Sequence, residues 1–110
     1  MAYQGGDRAG VKRPRFFWSA HRAPIQPGRF LETRYLRPAG ISQDRLAKSL
    51  GISRRRVNEL VCGKRAITPD TAVRLAQYFD TDVEFWLQLQ FAWDVHEARQ
   101  LYLQSVRKFP

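Results

Sequence analysis

The sequence predicts an all-α chain: five helices, with a helix–turn–helix at the centre. Three observations lead there. First, Gln43 to Gly63 reads QDRLAKSLGISRRRVNELVCG, in which Leu46, Ala47 and Leu50, then Val57, Leu60 and Val61, repeat at helical spacing. Second, the two repeats meet at Gly51-Ile52-Ser53, a connection too short for the helices to lie side by side, so they must cross steeply. Third, strand alternation and internal repeats are both missing from the pattern.

Taken in order, residues 1–24 are rich in Gly, Pro and Arg without periodicity and read as a flexible basic tail. The adjacent aromatics Phe16, Phe17 and Trp18 fit either a cluster folded back on the domain or a segment that binds a partner or stacks on single-stranded bases. Residues 25–97 form the helical domain. Pro27-Gly28 opens a first helix over Gly28 to Leu36, with Phe30, Leu31, Tyr35 and Leu36 on its apolar face, and Arg37-Pro38-Ala39-Gly40 ends it. Ser42 caps the second helix, and Asp44 lies near its positive end. Gly51 closes it in a left-handed conformation. Ala47 gives room for the steep crossing, and Val57 plugs it from the third helix, which Ser53 caps and which runs from Arg54 to about Cys62 before Gly63. Thr68-Pro69 starts the fourth helix, buried along Ala72, Val73, Leu75, Ala76 and Phe79. Thr81-Asp82-Val83-Glu84 reads as a capping box for the fifth.

The fifth helix carries two apolar stripes. Phe85, Trp86, Leu89 and Trp93 suit the domain's own core. Val83, Leu87, Phe91 and Val95 lie roughly 120° away, at about 100° per residue, and are expected to meet a second subunit, the alternative being cover by the tails. Residues 98–110 continue the helix to about Val106 and then fray.

Composition narrows the function classes. The chain has 110 residues and a net charge of +9, which favours a polyanionic partner. The charge is divided: seven Lys/Arg against two acids from Ile41 to Ile67, then one Arg against six acids from Thr68 to Glu97. One half suits phosphate and the other half something else. A single cysteine, Cys62, forbids an intrachain disulfide, and two histidines with one cysteine give no zinc-site spacing. No apolar run reaches membrane-spanning length and no secretory signal is expected. A cofactor is not expected either. Enzyme activity is not expected, because His21 lies in the tail, His96 lies late on the fifth helix, and no carboxylate cluster accompanies either.

The third helix supplies chemistry for duplex DNA. With Val57, Leu60 and Val61 inward, its outer side carries Arg55, Asn58 and Glu59, flanked by Arg54 and Arg56. Arginine matches guanine O6 and N7, asparagine matches adenine N6 and N7, and glutamate can accept from cytosine N4. Glu59 has a rival role, orienting Arg55 or Arg56 through an intrahelical ion pair. Lys64 and Arg65 are placed to grip the phosphate backbone, Gln43 to reach a phosphate or flanking base, and the Ser53-capped helix start directs N–H groups at phosphate. A groove-reading helix fits B-DNA better than the deep groove of A-form RNA.

Gln43, Ala47, Gly51 and Val57 occupy the first, fifth, ninth and fifteenth places of a helix–turn–helix, and the surroundings resemble the Xre/Cro-like, lambda-repressor-like DNA-binding domain. The likeness extends over Pro24 to Ala98, which is similar to HigA-type (VapI-like) antitoxins through NELVCGKRAIT, DTAVRLAQYF and FWLQLQ. The resemblance implies a cytoplasmic, nucleoid-associated bacterial repressor that dimerises through its C-terminal helices. It also implies binding to the operator of its own operon and a HigB-like RNA-cleaving toxin as partner. The alternative is a stand-alone Xre-family regulator without a toxin. About two dozen residues precede the family core here, where the family usually starts near its N-terminus.

Overall fold

The computed structural model describes residues 23–108, and among these it holds five helices. The first, α1, spans 27–39 in three continuous stretches: Pro27–Leu31, a π-helical turn Glu32–Leu36, and Arg37–Ala39. It therefore passes through Arg37-Pro38, where a stop is expected. Pro38 has no N–H to give to the preceding turn. The helix widens just before it, the Arg37 N–H reaching back five residues to the Glu32 carbonyl, and so tolerates the proline for one more turn. Gly40 then closes it.

The remaining helices are α2 (Gln43–Leu50), α3 (Arg54–Val61), α4 (Pro69–Phe79) and α5 (Val83–Lys108). Side-chain caps start three of them: Ser42 Oγ accepts from Arg45 N at 3.0 Å, Ser53 Oγ from Arg56 N at 3.0 Å, and Thr68 Oγ1 from Thr71 N at 3.4 Å. Four helix ends share one hydrogen bond in which an N–H reaches back five residues: Ile41 to Leu36, Ile52 to Ala47, Lys64 to Glu59 and Thr81 to Ala76. At Gly51 that closure needs φ of 71°, which glycine adopts without strain. The start of α5 differs from the expected capping box. The helix begins at Val83, and Thr81 Oγ1 instead accepts from Trp86 Nε1 at 2.8 Å, pairing the polar atom of a fully buried indole.

The core forms where these helices meet. Leu31, Leu46, Val57, Leu60, Ala72, Leu75 and Trp86 are inaccessible or nearly so. Trp86 anchors an aromatic cluster with Tyr35 at 5.0 Å and Phe85 at 5.1 Å, and Tyr35 meets Phe79 at 4.8 Å, so α1, α4 and α5 share one set of ring contacts. Gln90 adds a polar tie that periodicity does not announce: its Oε1 accepts from Ile67 N at 2.8 Å and its Nε2 donates to Asp94 Oδ1 at 2.9 Å.

Charged side chains fix the angles around the helix–turn–helix. Asp70, in the first turn of α4, accepts from Arg56 Nη2 at 2.8 Å and from Arg74 Nε at 3.0 Å, both through Oδ2. Arg56 Nη2 also donates to Thr71 Oγ1 at 2.8 Å. Arg74 Nη1 donates to the Leu50 carbonyl at 2.7 Å, satisfying a last-turn oxygen of α2. The bonds from Arg56, then Arg74, hold the Asp70 carboxyl below the usual carboxylate range.

Two tests follow from this packing. Gly28 of α1 lies so close to α3 that an added Cβ would land on the Leu60 carbonyl oxygen. Gly28→Ala gains up to about 1 kcal/mol of helix propensity, but overpacking against backbone costs about 1–3 kcal/mol. The net effect expected is a lower melting temperature by several degrees in a thermal melt, and an unchanged or raised one would contradict the close approach. For Asp70, the depressed carboxyl stabilises the fold above the ordinary aspartate value near ~4, and this contribution is lost as pH falls through the lower folded value. Asp70→Asn should therefore lower the urea midpoint at pH 7, and the gap to wild type should close in acid. A gap that stays constant from neutral pH to about pH 2 would place the stabilisation elsewhere.

Candidate nucleic-acid interface

The backbone of α3 is set by what it buries. Val57 and Leu60 are inaccessible, and Ala47 opposite them on α2 is 4% exposed, which is the small-residue contact a steep crossing needs. The opposite side of α3 then faces solvent, with Arg54, Arg55 and Asn58 exposed and Glu59 half-buried. Lys64 and Arg65 follow on the exposed turn after the helix. The structure brings Gln43 to this same face: its Oε1 accepts from Asn58 Nδ2 at 3.1 Å, tying the start of α2 to the middle of α3. This bond fixes which way each amide presents its remaining donors and acceptors.

Both carboxylate oxygens of Glu59 accept hydrogen bonds. Its Oε2 accepts from Arg55 Nε at 3.2 Å, and its Oε1 accepts from Arg65 Nε at 3.0 Å and Arg65 Nη2 at 2.7 Å. Of its two expected roles, orientation of Arg55 is the one this geometry contains, and Arg65 is added to it. The bonds from Arg65, then Arg55, hold the Glu59 carboxyl below the usual range.

Arg56 departs from expectation. It is grouped by sequence with the DNA-facing residues, yet its side chain is only 26% exposed and its guanidinium turns away from them to Asp70 and Thr71. One turn of α3 is 3.6 residues, so three consecutive arginines cannot share a face. Arg56 lies beside Val57 on the inward flank. Ser53 places its hydroxyl on the Arg56 N–H, so its side chain acts as the helix cap. Asp70, Thr71 and Arg74, which tie α4 to α2 and α3, carry no local signal of that role, because their partners on those two helices lie 14 to 24 residues away.

The expected subunit stripe on α5 is divided. Val83 and Leu87 pack against the domain's own core, so they are not an open face. Val95 is half-buried, and Phe91 is 69% exposed. Further along, Leu101, Tyr102, Leu103 and Val106 are also exposed. Trp93 and His96 sit half-buried with ring centroids 5.5 Å apart. Cys62 is a free, exposed thiol 3.9 Å from Asn58 Oδ1. Among the described residues no group of His, Cys, Asp and Glu could hold a metal ion, and no helix is long and apolar enough to cross a membrane. Phe16, Phe17, Trp18 and His21 lie outside the described residues.

The helix–turn–helix family model matches residues 34–86, the segment that holds α2, α3 and α4. Virulence-associated protein I of Dichelobacter nodosus is 47% identical over 76 residues, covering 69% of this chain and 70% of the relative. Antitoxin HigA-1 of Vibrio cholerae is 33% identical over 86 residues, 78% of this chain and 81% of the relative. Among solved structures, the Pseudomonas aeruginosa antitoxin HigA with the higBA promoter superposes with a TM-score of 0.72 at 34% identity, covering 79% of this chain and 95% of that one. With the fold, the crossing at Ala47 and Val57 and these likenesses in agreement, the chain belongs to the HigA-type (VapI-like) antitoxins of the Xre-like helix–turn–helix family.

Proposed function

We propose that the protein is a dimeric, sequence-specific repressor that inserts α3 into the major groove of its own operator and serves as the antitoxin of a HigB-like RNase toxin. The observation that carries the DNA reading is the outer face of α3. Arg55 and Asn58 stand exposed opposite buried Val57 and Leu60, with Asn58 held by Gln43. Arg54 and Lys64 lie at the two ends of that face, where phosphates flank a groove-bound helix. A structural relative of the same fold was solved with promoter DNA, which supports the same use here. The toxin partner rests on kinship with named antitoxins, and the setting proposed with it is the cytoplasm, on the nucleoid.

The dimer follows from α5. Phe91 and Val95 continue outward from the residues that α5 spends on its own core, and a two-fold pairing uses the same patch on both chains. One helix–turn–helix covers few base pairs, so two related by a dyad would read an inverted repeat with half-sites about 34–36 Å apart.

Two measurements test this. In gel shifts with duplex from upstream of the protein's own gene, Arg55→Ala should weaken binding by roughly 1–3 kcal/mol and relax preference at one base pair. Lys64→Ala should weaken operator and scrambled duplex alike and reduce the salt slope by about one unit. Identical behaviour of the two variants on both duplexes would contradict groove reading by Arg55. In light scattering, Phe91→Glu should give a folded monomer, because it buries an unpaired charge in the contact. A dimer with unchanged helicity would remove this face from the interface.

A further inference from the structure

We infer that Glu59 is a positioning residue for base recognition, which holds Arg55 and Arg65 so that their unused guanidinium donors point at DNA in set directions. The inference rests on the groove-reading role proposed for α3. Arg55 is 87% exposed at its side chain, and among the described residues Glu59 is the group that holds it. The bond uses Arg55 Nε. That leaves both Nη groups, the adjacent donors that match guanine O6 and N7 in a bidentate pair. A long arginine with several rotatable bonds would otherwise be ordered only on binding.

Arg65 is held differently. Its Nε and Nη2 both donate to one Glu59 oxygen, which leaves Nη1 uncommitted and suited to a single phosphate oxygen. Glu59 also organises the turn through its backbone, its carbonyl accepting from Lys64 N at 2.8 Å. One residue thus ties together Arg55, Lys64 and Arg65. With three bonds already on a carboxylate that has about four acceptor sites, Glu59 has a single site on Oε2 left for cytosine N4, and its main commitment is to the two arginines. Its own placement is secure, since its neighbour Leu60 is inaccessible in the core.

The sign of the effect makes the inference testable. Removing an acid raises the net charge, so electrostatics alone predicts tighter binding to every duplex. Positioning predicts a loss, confined to the correct sequence. The probe is a duplex that the wild-type chain selects from a random pool, compared with the same duplex scrambled, in equilibrium titrations with Glu59→Ala, Arg55→Ala and the double variant. Glu59→Ala should lose about tenfold or more of the selected-to-scrambled affinity ratio, with scrambled affinity unchanged or tighter. The double variant should discriminate no worse than Arg55→Ala alone, because both changes remove one contact. Glu59→Gln, isosteric but with one acceptor oxygen in place of two, is held to the same criteria if alanine perturbs the helix. Equal tightening on both duplexes would reduce Glu59 to a surface charge, and additive losses would make it a base contact in its own right. Either result overturns the inference, as does unchanged discrimination in both Glu59 variants. A wild-type chain that selects no sequence would instead remove the groove-reading proposal, and this inference with it.

Discussion

The orientation of α3 depends on one carboxylate. Asp70 receives Arg56 from the start of α3 and Arg74 from its own helix, while Arg74 reaches on to the last carbonyl of α2. The end of α2, the start of α3 and the first turn of α4 are thereby joined through a single oxygen and two guanidinium groups. Hydrophobic burial at Ala47, Val57 and Leu60 brings the helices together, but burial is non-directional. Charge-assisted hydrogen bonds have preferred geometry, and here they supply the angles. The same network separates three consecutive arginines: it draws Arg56 inward, while Arg54 and Arg55 remain on the outside.

What the sequence made legible is what depends on neighbours within one turn. Ser42, Ser53 and Thr68 cap because an oxygen at that place accepts from an N–H three residues on. Gly51 ends α2 because only the adjacent backbone decides its φ. The helix–turn–helix was legible because its caps, turn glycine and apolar spacing all lie within the 21 consecutive residues Gln43 to Gly63. What was not legible depends on distant partners. The inward turn of Arg56, the capping of α2 by Arg74 and the Gln90 bond to Ile67 span 14, 24 and 23 residues. Pro38 is an instance of a local rule outvoted: proline disfavours helix, and a π turn relieved that locally. At Thr81 the capping-box pattern gave way to the stronger demand of a buried indole N–H.

The divided charge of the sequence also resolves unevenly. In the basic half, Lys48 is paired with Asp44, Arg56 with Asp70, and Arg55 and Arg65 share Glu59. A run of positive charge therefore does not equal a field of free cations. Several of these pairs are exposed, and exposed pairs add little stability. Their value lies in orientation: each pair removes rotamers from a long side chain before any partner arrives. In the acidic half Asp70 is committed to the helix–turn–helix itself, so the acids of that half that carry no ion pair among the described residues begin at Asp80.

The last constraint is the length of α5. At 1.5 Å per residue its 26 residues extend about 39 Å, and its buried residues, Trp86, Gln90 and Ala92, all fall in the first half. From Glu97 to Val106 every side chain is exposed, including Leu101, Tyr102, Leu103 and Val106. A segment of this size is a marginal helix in water by itself, because nucleation is costly and few hydrogen bonds follow it. Continuity with the packed half removes the nucleation cost but leaves the apolar side chains wet. Phe91, Val95, Ala98 and Tyr102 are spaced by four, three and four residues, the spacing that keeps one face of a helix against another. The proposed dimer would thus cover a seam that runs past Val95 into the extension, and the two halves of α5 would serve different ends, the first fastening the helix to its own domain and the second to its twin.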